Sequence, residues 1–442
     1  MTGPTTMPSL TRTPVSRRSV LQAAGLGGSA LLAANLAGRA HAQDAPVQLT
    51  FAFPPDASGS TQALLDGFNQ LHAGEIAVSW REMPANYGEY FTQVRTELQT
   101  GSKDLDVIGI GGIWPAPLGV PGLIADLSDR LDTSKFLPST IAINTYKDAI
   151  YGAPWYTDCG LLYYRKDLLA DAGYAAPPTT WDEMSEMATA IQSATGIQAG
   201  YLLQGAETPA GAINAIEFIY SSGGYILDPS DPEHVVVDQP EAMRGLQIER
   251  GLVDNGIAPQ AVTTYGEQEC EAAFVRGDAI FMRNWPGSYE SVADPNRSAL
   301  TLDQVGVGQL PVAEAGMTSR AIQSGIQLAM NANSRHPEEA WLLIDYLSSA
   351  EQQKAHALTG GQLPAVASLY DDPELTSQLP IMALGQQALT NSLPRPVTPY
   401  IFEMSNLMAE RFTTMLSGGA TPEETASAVQ SDLQEIIDLG GV

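Results

Sequence analysis

Val47-Gln48-Leu49-Thr50-Phe51-Ala52-Phe53 alternates apolar and polar positions in the manner of an opening strand, and Leu64, Leu65, Phe68 and Leu71 then take up helical spacing across Ser60 to Leu71. The pair is repeated at once: Ile76 to Trp80 reads as a second strand and Tyr87 to Thr100 as a helix. Leu105 to Ile110 reads as a third strand ending in the flexible run Gly109-Ile110-Gly111-Gly112. Strands alternating with helices favour a largely parallel, wound sheet. Ligands of such sheets gather beyond the carboxyl ends of strands. The loops Pro54 to Gly59, which holds Asp56 and Ser58, and Gly111 to Pro115, which holds Trp114, are therefore candidate site walls.

Further on, Thr180-Trp181-Asp182-Glu183 and Thr421-Pro422-Glu423-Glu424 fit capping boxes, and His336-Pro337-Glu338-Glu339 opens a helix running through Leu347. These are scaffold rather than chemistry. Residues 1–42 carry Arg12, Arg17, Arg18 and Arg39 and no acid, with an apolar run from Val20 to Ala37 and an A-x-A site at Ala40-His41-Ala42. They read as a cleaved signal peptide of the twin-arginine type, with no cysteine after the site to take a lipid anchor. An exported, soluble, periplasmic chain of residues 43–442 is expected, with no membrane anchor.

The whole chain has 50 acidic and 22 basic side chains, a formal charge of -28. Nucleic acid is excluded as a partner, because a polyanion needs a basic face. Such acidity keeps a protein soluble and says little about its ligand. Cys159 and Cys270 read as two buried, unpaired thiols, with a disulfide as the open alternative in an oxidising compartment. Two cysteines and a few scattered histidines do not build a metal cage, and no cofactor is expected. The chain has no G-x-S-x-G elbow, no P-loop and no H-E-x-x-H, so enzyme readings lose their support. A secreted glycosidase is the alternative from another class, resting only on plentiful carboxylates.

Aromatics sit beside polar groups in Tyr151-Gly152-Ala153-Pro154-Trp155-Tyr156-Thr157-Asp158 and in Arg283-Asn284-Trp285-Pro286. That mixture suits saccharides, whose C–H faces lie on rings while their hydroxyls seek carboxylates and amides. From composition alone, core packing is the better account of Trp155, Tyr156 and Trp285.

The run Tyr156-Thr157-Asp158-Cys159-Gly160-Leu161-Leu162-Tyr163-Tyr164-Arg165-Lys166-Asp167-Leu168-Leu169 resembles the crossover segment of the trehalose/maltose-binding proteins that serve ABC importers. Similarity continues at Arg283-Asn284-Trp285-Pro286, Tyr370-Asp371-Asp372-Pro373 and Pro394-Arg395-Pro396-Val397-Thr398-Pro399-Tyr400. The resemblance implies an α/β, two-lobed periplasmic-binding-protein fold, each lobe a mostly parallel sheet flanked by helices, with a hinge between them. It divides the chain into 43–157 plus 319–370 and 158–318 plus 371–442. It also implies a monomer that closes on a small saccharide, an α-glucoside disaccharide or other small glycoside, and presents it to the permease subunits. A non-sugar solute is the other ligand class left open.

Carried over residue by residue, the resemblance makes Tyr156 and Trp285 stacking platforms, Asp158 a hydroxyl acceptor, and Gly325 a point of close backbone approach. This sequence departs from the pattern where relatives place an aspartate (here Gly111), a tyrosine (Gly287), a tryptophan (Ile326), and a tryptophan and an arginine (Gln362 and Val366). Each lost contact is worth roughly 1 kcal/mol or more, so trehalose or maltose selectivity carries over only if other side chains compensate. Tyr87, Tyr90, Asp56, Ser58, Gln327 and Gln362 are the candidate compensators, and Trp114 a further wall residue.

Overall fold

The Val47–Phe53 strand pairs in parallel with Ile76–Glu82 on one side and Val107–Gly111 on the other, the helices Ser60–Leu71 and Tyr87–Gln99 providing the crossovers. The structure, a computed structural model, describes residues 45–56 and 58–440; the expected leader at 1–42 lies outside them. Asn86 caps the second of these helices by accepting from the Gly88 and Glu89 amides, which fixes where Tyr87 begins it.

From there the sheet changes character. Gln323–Met330 adds antiparallel to Val107–Gly111, Ala153–Cys159 adds antiparallel to Gln323–Met330, and the short Leu363–Pro364 closes that edge. A second sheet holds, in order, Val305–Gly308, Leu161–Arg165, Ala279–Asn284 and Ala199–Leu202, and only its last pair is parallel. Both sheets are mixed, which corrects the expectation of mostly parallel ones. The cause is the hinge: Ala153–Cys159 and Leu161–Arg165 form one extended run interrupted only at Gly160, so strands of the crossing enter each sheet against the direction of the wound units.

The first lobe packs around Phe51, Phe53 and Trp155, whose rings meet edge to face at 5.7 and 5.3 Å from the indole. Pro337–Leu347 covers that sheet with Ile344 and Leu347 buried, and Trp341 only partly so. Both capping boxes form, Thr180 with Glu183 and Thr421 with Glu424. Cys159 and Cys270 are buried and free.

Where the chain changes sheets, one buried ion pair joins the strands. Arg283 donates to Glu217 through Nε and Nη2, both at 2.7 Å, and the pair is almost wholly shielded from solvent. Glu217 Oε1 also accepts from the Ile322 amide at 3.0 Å, on the return crossing. A β-carbon on Gly160 would run into Glu217 and Arg283, so the outgoing crossing must be glycine.

A second buried carboxylate is less well served. Glu249, on Pro240–Asp254, is 2% exposed, its Oε2 has no hydrogen-bond partner among the described residues, and burial pushes its pKa up to about 8. The folded state therefore prefers the protonated acid. Its contribution to stability is complete below the usual carboxylate pKa and is lost as pH rises through about 8. Glu249→Gln should leave stability at pH 5 unchanged and raise it at pH 9 by about 2 to 4 kcal/mol. Urea unfolding at the two pH values checks this, and equal effects at both would remove Glu249 as the source.

Candidate functional site

Along Ala153–Cys159 burial alternates: Trp155 and Thr157 face the core, while Tyr156 and Asp158 are half-buried on the opposite side. Two orderings hold this strand in place. His356 stacks on Trp155 at 4.7 Å and 16° and meets Tyr156 edge-on at 5.3 Å. Gln353 donates to the Pro154 carbonyl and accepts from the Ala365 and Val366 amides. Gly325 sits opposite Thr157 with φ at 111°, where a β-carbon would strike the Tyr156 carbonyl. Its glycine is thus demanded by strand pairing.

The first-lobe wall is built from loops and one helix start. Asp56 accepts from the Ser58 and Ser60 hydroxyls and from the Ser58 and Thr61 amides, so it and Ser58 order the turn into Ser60–Leu71. These bonds hold the carboxyl well below the usual range against the opposing effect of burial, the largest single influence. Tyr87 is 43% exposed as a residue, yet its hydroxyl lies over Gly111, where a β-carbon would coincide with it.

Trp114 lies behind it, 0% exposed in the core against Tyr87, Tyr90 and Phe91, with no face toward a cleft. Tyr90 is likewise structural, its hydroxyl bonded to the Ala52 and Gly109 carbonyls. Gln327 is buried and accepts from Asn144 at 2.8 Å. Gln362 is different: its Oε1 is shielded and has no partner among the described residues.

On the second lobe, Trp285 is half-buried with the Arg283 guanidinium 3.9 Å from its ring centroid. Tyr163 donates to the Trp285 carbonyl and Asn284 accepts from the Trp285 amide, fixing the loop. Beside it Gly287 is exposed, with no atom within 4 Å of where a β-carbon would be.

Asp158 is where these walls meet electrically. Its Oδ1 is shielded without a partner among the described residues, and burial raises its pKa to about 6, opposed by Arg283, the Ser324 hydroxyl and Arg395. Arg395 in turn is pushed down to about 10 by burial, with Tyr87 and Asp158 acting against that shift. Tyr87 and Tyr156 both have phenol pKa values raised by burial; Arg395 opposes the rise in Tyr87, and Asp158 adds to the rise in both. Tyr87, Tyr156, Asp158 and Arg395 thus share one neighbourhood, and Trp285 joins it through Arg283.

Arg395 was not among the residues singled out from sequence, although its motif was. Among the described residues it has no ion pair, and it is the lone basic residue between Lys354 and Arg411, between two prolines. That isolation was the available signal. His356 and Glu290 carried none. The carboxylate of Glu290 meets Gly361 of the other lobe only once the fold is complete.

The family described as bacterial extracellular solute-binding protein matches residues 54–354. The chain belongs to it. A probable ABC transporter-binding protein of Deinococcus radiodurans is 33% identical over 431 residues, covering 93% of this chain and 99% of the relative. Among solved structures, maltose-bound MalE3 of T. maritima superposes with a TM-score of 0.75 at 33% identity, over 88% of this chain and 100% of that one. The GacH receptor of Streptomyces glaucescens gives 0.75 at 24% identity, over 89% and 99%. A solute-binding protein needs groups that bind and release without reacting, and a set of neutral phenols, one amide, one carboxylate and one guanidinium meets that need.

A solute that hydrogen-bonds to Asp158 would give binding a pH signature. Because the carboxylate form accepts hydrogen bonds and its pKa is about 6, solute affinity should fall about tenfold between pH 7 and pH 5. In Asp158→Asn it should be weaker and flat with pH. Calorimetric titration of the bound solute across that range tests it; a flat wild-type profile would count against Asp158.

Proposed function

We propose that this protein is a periplasmic binding protein that captures a small saccharide, an α-glucoside disaccharide or other small glycoside, and delivers it to an ABC importer. The observation that carries the reading is the shared neighbourhood of half-buried Tyr156, exposed Tyr87, Asp158 with its shielded Oδ1 unpartnered, and Arg395 without an ion pair, all among the described residues. Rings for C–H faces and unsaturated polar groups for hydroxyls match a sugar. The maltose carried by the T. maritima relative supports the same class.

A second reading comes from the opposite charges of Asp158 and Arg395, which would suit a zwitterion. A Sinorhizobium fredii relative, 23% identical, is named a probable amino-acid binding protein. Asp158 with its pKa at about 6 is mostly ionised at neutral pH and does not separate the two readings; the maltose held by the T. maritima relative, at 33% identity, favours the saccharide. Thermal-shift screening of mono- and disaccharides, polyols, glycosides and amino acids decides between them, since a solute that binds the folded state raises Tm. Stabilisation by amino acids alone would overturn the saccharide reading.

Capture requires the lobes to close, and two contacts cross between them away from Asp158. Phe91 stacks on Phe402 with centroids 4.0 Å apart at 31°, and Lys147 pairs with Glu233 at 2.8 Å. Lys147 is the described non-glycine residue with positive φ, at 52°. If closure sets affinity, apparent Kd scales inversely with the closed fraction. Phe402→Ala should weaken solute binding about threefold to tenfold and enlarge the radius of gyration of the free protein in small-angle scattering. An unchanged radius with unchanged affinity would remove the aromatic pair from closure.

A further inference from the structure

The first-lobe sheet aligns Gly111, Ile326 and Tyr156 as direct partners across three neighbouring strands. Residues paired this way present their side chains on one face, so the row that carries Tyr156 would carry a side chain from position 111 as well. Gly111 supplies none. The space is taken instead by the hydroxyl end of Tyr87, arriving from the start of Tyr87–Gln99.

Tyr87 is backed on one side by the core. Its ring is backed by Trp114 at 5.0 Å and Tyr90 at 6.5 Å, Trp114 is wholly buried, and Tyr90 is tied to two backbone carbonyls. Unlike Tyr90, the Tyr87 hydroxyl has no hydrogen-bond partner among the described residues. It lies near enough to Asp158 and to Arg395 of the other lobe to feel both charges. A phenol backed by aromatic rings, exposed at its other side, unsaturated and within reach of the fields of a carboxylate and a guanidinium is placed to meet a ligand rather than to support the core.

We propose that Tyr87 and Gly111 form one specificity-determining unit: Tyr87 provides the ligand-facing group that position 111 leaves bare, and by filling that end of the cleft it excludes saccharides long enough to lie over Gly111. The proposal rests on the saccharide reading and adds which residue limits ligand length. A side chain at position 111 would contend with the Tyr87 phenol for the space it now holds.

The test measures Kd for glucose, maltose and maltotriose by calorimetry on wild type, Tyr87→Phe, Tyr87→Ala, Gly111→Ala and the double variant Tyr87→Ala with Gly111→Ala. The Tm of each free protein reports folding. Tyr87→Phe should weaken binding about fivefold, the effect of one neutral hydrogen bond. Tyr87→Ala should shift the preference toward the longer sugars by about tenfold or more. Gly111→Ala should weaken binding about tenfold alone but less than about twofold in the Tyr87→Ala background, the coupling expected of groups in contact.

Unchanged length preference in Tyr87→Ala, or wild-type affinity in Tyr87→Phe, would overturn the proposal while leaving the saccharide reading intact. These two variants decide the matter even if Gly111→Ala fails to fold. Wild type that binds none of the three sugars would overturn the α-glucoside reading and this proposal with it.

Discussion

The two-lobed arrangement depends on the buried pair between Arg283 and Glu217. Its guanidinium and carboxylate are shielded together, so each is tolerable only while the other is present, and losing one partner of such a pair costs about 3 to 5 kcal/mol. The position matters more than the energy. Glu217 reaches the Ile322 amide on one crossing and crowds Gly160 on the other, while Arg283 lies against Trp285 and acts on Asp158. A single ionic contact thereby holds both hinge strands, the Trp285 loop and the charge of Asp158 in register. Gln204 extends the hold, donating to the Arg283 carbonyl and accepting from Asn214.

Much of this architecture is legible in the residues. The period of two in Val47–Phe53 and the helical spacing after it define the opening units, because local alternation and tertiary burial agree there. The capping boxes form for the same reason, each being a contact within four residues. Strand direction in the remaining sheet is not legible, since a strand such as Gln323–Met330 has the same pattern whichever way it pairs. Only the return of the chain from the second lobe decides it.

The site divides along the same line. Tyr156 and Asp158 share a half-buried face because they stand two apart on one strand within a dense motif, so period and resemblance name the same candidates. Trp114 and Gln327 look equally suited in sequence but lie inside, one among aromatics and the other bonded to Asn144, 183 residues away in the chain. Nothing local distinguishes a tryptophan that lines a cleft from one that fills a core. The part of Gly111 is illegible for a related reason: a missing side chain gives no hint of which distant group occupies its place.

The burial of both native sulfhydryls has a practical bearing. With Cys159 and Cys270 inaccessible, a thiol introduced at open, exposed Gly287 would be the one that reacts with a maleimide dye. A fluorophore attached there would stand at the rim beside Trp285, where quenching by the indole could report lobe movement directly. The chain thus comes already suited to optical sensing, without prior removal of its own sulfur chemistry.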